Sequence, residues 1–330
     1  MLQTSDELKP NAGRLEGSVS DRSGWTKLPM LDQFWNLRLY LGDPETGPLI
    51  YAMIEDPIPF PEGEIKPEHT PARPHYHMSP TFRIALGPQP HQFKIDTNWY
   101  GRGDYLFFDS NRFYNDPMGW DGAEMIVFFA DRRGVVPFRR DYVGMSSDEI
   151  IAAEGANLGD FGAALPSVLL SKENADTGVA ITNCDQLRAG RSSGSILDQS
   201  DWDGLSDGSK MVAGLLGSKS DGPVVILSKN APNAVESSRG TAKSDHFRLI
   251  VEGSCAVGDR RYGPGQFVAV EAGSGVEDVV HGPEGSTQLL FVADRRGWRQ
   301  ADDQGKPVRS ARQDEIAAIV GKLQGHAVPA

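Results

Sequence analysis

Cysteine is scarce in this sequence. Its 330 residues include two cysteines, Cys184 and Cys255, and no CxxC pair. This argues against a disulfide framework or a cysteine-rich zinc site and suits a reducing compartment. No apolar run approaches the length needed to cross a bilayer, and residues 1–24 lack the apolar stretch of a signal peptide. We therefore expect a cytoplasmic protein without a membrane partner.

The sequence also lacks an excess of basic residues. The formal net charge is −12, and no basic stripe or arginine-rich helix is present. A nucleic-acid backbone is therefore not an expected partner. In contrast, glycine and proline are plentiful and spread along the chain, with 37 and 22 residues. This is typical of many short strands joined by tight turns.

One segment occurs twice. Residues 128–134 read FFADRRG and residues 291–297 read FVADRRG, so that six of the seven positions are identical. Matching landmarks on both sides keep the same order in the two halves, which indicates a duplicated domain. They are, first copy before second, Leu41-Gly42 with Leu216-Gly217, Gly47-Pro48 with Gly222-Pro223, Phe82-Arg83 with Phe247-Arg248, and Tyr100-Gly101 with Tyr262-Gly263.

The duplication sets the predicted domain organisation. Residues 1–28 form an N-terminal arm, and residues 29–158 and 206–330 form the two copies. Residues 159–205 form a linker, in which residues 167–171 are a candidate strand that crosses to the other copy. Each copy has many short strands and ends in a short helix, which predicts an all-β fold of two small antiparallel barrels or sandwiches.

The first copy resembles the cupin superfamily. Its similarity consists of His75-x-His77, a strand that ends at Gly87, a glycine-containing turn before Asp104 and a final apolar strand. The family motifs are incomplete in both copies, because the usual glutamate position falls on Thr81 or Phe82 and the second copy lacks the H-x-H pair. The resemblance implies a bicupin, that is, two tandem jelly-roll (double-stranded β-helix) barrels.

His75 and His77 are the candidate metal ligands. In a strand they point to one face and Tyr76 to the other, and two imidazoles on one face make half of a typical divalent metal site. The alternative is that they are polar residues at the rim. We expect His91 as the third ligand, with His69 or a carboxylate (Asp104, Asp109 or Glu124) as alternatives.

Arginine and tyrosine side chains complete the first-copy candidates. Arg83 and Arg248 occupy equivalent strand positions and can recognise a substrate carboxylate if they face inward. The alternative is that both face solvent. Tyr76, Tyr105 and Tyr114 are candidate hydroxyl donors or acid–base groups. The repeated Asp-Arg-Arg-Gly is interpreted as an Asp–Arg pair that holds a turn.

The second copy offers its own candidates. His246 and His281 lie at two cupin ligand positions and are expected to converge inside the barrel, and Arg248 is a further candidate of the second copy. They can serve acid–base chemistry or bind an anion. The alternative is a degenerate copy in which both histidines are buried and hydrogen-bonded.

The resemblance implies a metal-assisted enzyme of dioxygenase, lyase or isomerase type. Its substrate would be a small organic acid or aromatic compound, bound in the first copy with one divalent metal (Fe, Mn, Zn or Ni). The alternative is a metal-free cupin pair that binds a small ligand or has a structural role in an assembly. By analogy with cupins, we also expect a homodimer.

Overall fold

A computed structural model gives the architecture of the chain. It describes residues 3–4, 13–27, 34–44, 46–68, 75–77, 79–95, 97–108, 114, 116–134, 138–139, 189–190, 193–218, 221–237, 239–302 and 304–326. Within these residues most of the regular secondary structure is β-strand, as predicted. The predicted crossing strand at residues 167–171 and the helix expected near residue 150 lie outside them.

In chain order, the strands are those of the arm and first copy, followed by those of the linker and second copy. The first group comprises β1 (Gln3–Thr4), β2 (Arg14–Ser18), β3 (Thr26–Lys27), β4 (Phe34–Tyr40), β5 (Leu49–Glu55), β6 (His75–Tyr76), β7 (Thr81–Ala85), β8 (Phe93–Ile95), β9 (Asn98–Tyr100), β10 (Asp104–Phe108), β11 (Ala123–Phe129) and β12 (Phe138–Arg139). The second comprises β13 (Ala189–Gly190), β14 (Ser193–Ser195), β15 (Asp203–Gly204), β16 (Lys210–Leu215), β17 (Val224–Asn230), β18 (Val235–Glu236), β19 (Gly240–Thr241), β20 (His246–Val257), β21 (Arg260–Tyr262), β22 (Gln266–Val270), β23 (Gly275–Val276) and β24 (Val279–Val292). One α-helix, α1 (Ala311–His326), follows β24.

The two large sheets have the same strand order. The first runs β1-β4-β5-β11-β7-β10-β14 and the second runs β13-β16-β17-β24-β20-β22-β2. All neighbours pair antiparallel, and each strand of one sheet occupies the position of its sequence equivalent in the other. The predicted all-β fold of two duplicated copies is confirmed.

The copies exchange their edge strands. Strand β2, from the segment predicted as an N-terminal arm, pairs with β22 of the second copy, and Arg14 lies opposite Val270. Strand β14, from the predicted linker, pairs with β10 of the first copy, and Asp104 lies opposite Ser195. Each sheet is therefore completed by a segment that precedes the other copy in the chain.

A shared apolar core joins the two sheets. Alternate residues of the central strands face it, since successive side chains of a strand point to opposite sides. Phe82 and Phe128 enter it from the first copy, and Phe247 and Phe291 enter it from the second. We call this the inter-copy core. The opposite face of the first sheet is covered by β8, Tyr114 and Met118, and forms the first-copy core.

The repeated Asp-Arg-Arg-Gly holds a turn in both copies, as predicted. Asp131 accepts hydrogen bonds from the backbone and side chain of Arg133, and Asp294 does the same for Arg296. The arginine between them is buried. Arg132 donates to the backbone carbonyls of Leu41, Pro44 and Gly47, whereas Arg295 donates to those of Leu216, Gly222 and Pro223. The motif therefore links the strand exit to the turn between the first two strands of its copy.

Helix α1 closes the second copy. It packs Ile316 and Val320 against strand residues such as Ala213 and Ile226, in agreement with the predicted terminal helix. Among the helical segments that the structure describes, none is long and apolar enough to cross a membrane.

Candidate functional site

Four residues form a row across the first sheet, on the face that is covered by the first-copy core. Arg38 pairs with Tyr51, Tyr51 with Val127, and Val127 with Arg83. The two arginines are 5% and 2% exposed. Because their strand neighbours, such as Leu37 and Phe82, face the inter-copy core, both arginines must face the first-copy core. The solvent-facing alternative for Arg83 is therefore wrong.

Arg83 has few bonding partners for a buried cation. One terminal nitrogen donates to the Tyr114 hydroxyl, and the other lies 3.3 Å from a carboxylate oxygen of Asp116. The guanidinium also lies over the Tyr114 ring, 4.8 Å from its centroid, and 5.9 Å from the Phe108 centroid. Its Nε is buried and has no hydrogen-bond partner among the residues that the structure describes. An anion that bonded to this nitrogen would relieve the cost of burying it.

Two carboxylates belong to the same face. Asp116 pairs with Arg83, and its side chain is 18% exposed. Glu55 ends β5 on the face that carries Leu49, Tyr51 and Met53. Burial and the nearby charge of Asp116 raise the pKa of Glu55 to about 7. A carboxyl that exchanges its proton near neutral pH is suited to general acid–base chemistry.

One histidine of the predicted pair, His77, lies next to this cluster. His75 and Tyr76 form β6, which pairs with β12, but their side chains lie outside the described residues. The His77 ring packs on Phe129 and Tyr114, with ring centroids 5.0 Å and 6.2 Å apart. His77 therefore contacts the tyrosine that binds Arg83.

His91 is not brought to His77. It lies beside Gly87 and Glu124, at the start of β11, whereas His77 packs on Phe129 at the end of that strand. Five residue steps of about 3.3 Å separate the two positions along β11. This corrects the expectation that His91 completes a site with His77. His91 is close to His77 in the sequence, but it lies at the opposite end of the sheet.

Tyr105 also lies away from the cluster. It alternates with Leu106 along β10 and therefore faces the inter-copy core, where its ring lies 6.5 Å from that of Trp202. Its hydroxyl abuts Gly194 of the exchanged strand β14. The expectation of a catalytic role for Tyr105 is corrected, because its face of the sheet is the opposite one from that of Arg83.

The described residues do not by themselves fit a metal centre. Among the side chains that the structure describes, no three His, Cys, Asp or Glu groups come together as ligands. A metal at the predicted position would need His75 beside His77 and one further donor.

The second copy places its equivalent arginine in a complete ion pair. Arg248 donates to both carboxylate oxygens of Glu236, at 3.1 Å and 2.8 Å, and to Gln288 at 2.6 Å. Burial would raise the pKa of Glu236, but the charge and hydrogen bonds of Arg248 outweigh it and lower that pKa to about 2. The solvent-facing alternative is wrong for Arg248 as well, since it is buried and saturated.

The two predicted histidines lie in the same interior. His246 approaches the Ser244 carbonyl at 3.4 Å, and Nδ1 of His281 lies 2.8 Å from the Ser286 hydroxyl. Burial and the charge of Arg248 lower the pKa of His246 to about 4. The pKa of His281 is also lowered to about 4, mainly by burial. Both rings are therefore neutral at pH 7.

The cross-strand row differs between the copies. The positions of Arg38 and Tyr51 are occupied in the second copy by Ala213 and Ile226, which pair in the same register. These smaller and apolar side chains pack against α1. At these two positions the first copy therefore carries polar side chains, whereas the second carries apolar side chains that are covered by α1.

A separate cleft of about 450 Å³ lies between the copies. Its carboxylates are already engaged. Asp245 accepts from the backbone nitrogens of Gly42 and Ala272, both at 2.7 Å, and Asp294 pairs with Arg296 at 2.5 Å. None of the predicted site residues lines this cleft.

Fold and interior together define a duplicated all-β protein, with two antiparallel sheets of the same strand order. No family model matches the chain, and no curated protein matches it either. Among solved structures, the chain is similar to oxalate decarboxylase of Bacillus subtilis, a protein with Mn(II) centres. The two share 14% sequence identity, with a TM-score of 0.45, and the match covers 87% of this chain and 78% of that chain. It is also similar to protein Ylba of E. coli, from family DUF861, with 10% identity and a TM-score of 0.46 over 88% and 94% of the two chains.

Proposed function

We propose that the protein is a cupin-type enzyme that acts on a small organic acid bound in the first-copy core. The observation that carries this proposal is the state of Arg83. It is a buried guanidinium with one long ion pair and an unbonded Nε. In this proposal the substrate carboxylate binds Arg83, because charge-assisted bonds to a buried arginine are strong and directional.

The first copy is preferred because its arginine is not saturated. Arg248 already has a bidentate carboxylate partner, and a substrate would have to displace Glu236. Arg83 donates to Asp116 through one terminal nitrogen alone. Tyr114 would position the guanidinium and supply a hydroxyl to the bound acid, and Arg38 would add a second positive charge to the same face.

The reaction classes remain those of the sequence prediction, namely lyase, isomerase or dioxygenase. A divalent metal held by His75 and His77 would supply Lewis-acid or oxygen-activating chemistry. The residues that the structure describes supply substrate binding, through Arg83, and proton transfer. Tyr76 stays a candidate, with its role untested.

Carboxylate binding can be measured directly by calorimetry. A panel of acetate, malonate, succinate and benzoate covers short, doubly charged and aromatic acids. We expect at least one to bind, and Arg83→Gln to weaken its affinity by about 10- to 100-fold, the size of a lost charge-assisted bond.

The matched control is the double variant Arg248→Gln with Glu236→Gln. It removes the equivalent arginine of the second copy and leaves no unpaired buried charge. We expect unchanged affinity in this variant. Equal losses in the control and in Arg83→Gln, with circular dichroism showing both folded, would contradict the placement of the site in the first copy.

Metal content separates the enzyme from its alternative, a metal-free protein that binds a small ligand. The protein should be purified without chelator or nickel affinity and its metals determined. A stoichiometric metal that is lost in His75→Ala with His77→Ala, in a folded protein, supports a metal-assisted enzyme. Binding of a carboxylate without any metal supports the alternative.

The expected homodimer and cytoplasmic location stay predictions. In cupins, sheet edges commonly form dimer contacts, and the exchanged strands β2 and β14 form one edge of each sheet here. Light scattering after size exclusion measures the mass directly, and a monomeric mass would overturn the dimer.

A further inference from the structure

A second buried polar group lies near Arg83 on the face of the first sheet that the first-copy core covers. Thr81 begins β7, two residues before Arg83, and is 2% exposed. Its hydroxyl is buried and has no hydrogen-bond partner among the residues that the structure describes. Burial of a hydroxyl without a partner costs stability, so that this group is not explained by the fold alone.

The strand register places Thr81 on the same side of the sheet as Arg83. Thr81 lies directly opposite Phe108 of β10 and Phe129 of β11, and both of these rings belong to the first-copy core. Because directly opposite residues of antiparallel strands point to the same side, Thr81 faces that core as well. The two positions on β7 are about 7 Å apart along the strand.

One aromatic ring joins the two polar groups. The Arg83 guanidinium lies 5.9 Å from the centroid of the Phe108 ring, which is the ring directly across from Thr81. Phe108 also packs on Tyr114, with ring centroids 4.5 Å apart, and the Tyr114 hydroxyl accepts a hydrogen bond from Arg83. The Thr81 hydroxyl and the Arg83 Nε, both buried and without a described partner, therefore lie around the same ring.

The second copy fills the equivalent position with a different side chain. Residues 81–84 read TFRI and residues 246–249 read HFRL, so that His246 takes the place of Thr81. A ring nitrogen of His246 lies 3.4 Å from the Ser244 carbonyl, and the neighbouring arginine has its bidentate carboxylate partner. The polar groups of this strand are therefore bonded in the second copy, whereas the first copy keeps two buried polar atoms without a described partner.

We infer that Thr81 is a specificity-determining residue of the first-copy site, which hydrogen-bonds a hydroxyl group of the acid whose carboxylate is held by Arg83. This inference rests on the proposed function and names its substrate class, the hydroxy acids. A threonine hydroxyl both donates and accepts, so that it matches a ligand hydroxyl in either direction. A site built in this way rejects an analogue without the hydroxyl, because its own buried group is then left without a partner.

A series of four-carbon acids tests this assignment by calorimetry. Butyrate is compared with 2-, 3- and 4-hydroxybutyrate, which share its carboxylate and differ in the position of the hydroxyl. We expect at least one hydroxy acid to bind about 3- to 10-fold more tightly than butyrate, the size of one net hydrogen bond. Thr81→Val should remove this gain and leave the affinity for butyrate unchanged. Thr81→Ser, which keeps a hydroxyl, should retain the gain.

The stability of the free protein separates a hydroxyl that serves a ligand from one that serves the fold. Valine has the shape of threonine without the unbonded hydroxyl, so that Thr81→Val should leave the thermal unfolding temperature unchanged or raise it. A clear decrease would show that the hydroxyl has a structural partner, and would overturn the inference.

Thr287→Val is the matched control in the second copy. Thr287 is 1% exposed, and its hydroxyl donates to a carboxylate oxygen of Glu252 at 3.4 Å. This variant should lower the unfolding temperature and leave the preference for the hydroxy acid intact. Loss of the preference in this control would show that the effect does not come from the first copy, and would overturn the inference.

Two binding results would overturn the inference and leave carboxylate binding intact. If butyrate and the three hydroxy acids bind equally and all depend on Arg83, the Thr81 hydroxyl bonds at most a buried water. If the preference survives in Thr81→Val, another group recognises the hydroxyl. Failure of all the acids to bind, or binding that is insensitive to Arg83→Gln, instead defeats the proposed function and the inference with it.

Discussion

Phe128 of the first copy stacks on Phe291 of the second, with ring centroids 4.9 Å apart and planes inclined by 29°. The two residues occupy the same position of the repeated FFADRRG and FVADRRG segments. The two occurrences of the repeated segment therefore pack against each other in the inter-copy core. Both rings are fully buried, so that the repeated segments contribute directly to the contact between the copies.

Removal of one of these rings should destabilise the whole chain. We expect Phe128→Ala to lower the free energy of unfolding by about 3–5 kcal/mol, the range for a buried phenylalanine that leaves a cavity. Phe128→Leu is the control and should cost much less. Urea denaturation followed by circular dichroism measures both. A loss below about 1 kcal/mol for the alanine variant would show that the sheets repack across the gap.

The repeated arginines should differ in importance. Arg295 is buried and bonded to three carbonyls, so that Arg295→Lys leaves some of them unsatisfied and should cost about 2–4 kcal/mol. Arg296 has a side chain that is 65% exposed, and Arg296→Lys should be within about 0.5 kcal/mol of wild type. Thermal denaturation of the two variants compares them. Similar effects would contradict the structural role of the buried arginine.

Stability should fall as the pH drops from about 6.5 towards 4. The folded pKa of His246 and of His281 is about 4, below the unfolded value of about 6.5. The neutral rings therefore contribute stability that is complete above the unfolded pKa and is lost as the pH falls through the folded pKa. Chemical denaturation between pH 7.5 and 4.5 measures the slope.

The double variant His246→Asn with His281→Asn tests the source of this slope. It should show a flatter dependence over the same pH range. Glu236 titrates at lower pH, since Arg248 lowers its pKa to about 2. Its contribution to stability is therefore lost only in more acidic solution. An unchanged slope in the double variant would assign the pH dependence to other groups.

The exchanged arm should protect the second copy. Deletion of residues 1–18 removes β2, so that the backbone of Gln266–Val270 loses one of its two partner strands. Hydrogen exchange measured by mass spectrometry should then rise in β22. Strand β5, which pairs with β4 and β11, is the internal control and should change little. Faster exchange in β5 alone would contradict the observed exchange of strands.

Several features of the site could be predicted from the sequence. Arg83 and Arg248 were paired by their place in the duplication, and the structure buries both. Alternation along β4 also places Arg38 on the face opposite to Leu37 and Leu39, which face the inter-copy core. The prediction missed Arg38 because a single arginine among leucines is equally compatible with a solvent-facing side.

Other site residues carried no local signal. Glu55 and Asp116 lie far apart in the sequence, and the charge of Asp116 acts on Glu55 only in the folded chain. Glu236, the partner of Arg248, comes from the short strand β18. The exchanged strands were also missed, since β2 and β14 are short and pair with residues far away in the sequence.

The sequence by itself determined the duplication, the β-structure and the turn built by Asp-Arg-Arg-Gly, because each depends on repeated letters, on alternation or on neighbours in the chain. The tertiary structure decided which face of each sheet is interior, which arginine is saturated and where Glu55 lies. These depend on pairing between distant strands, and on the burial and charge that result from it.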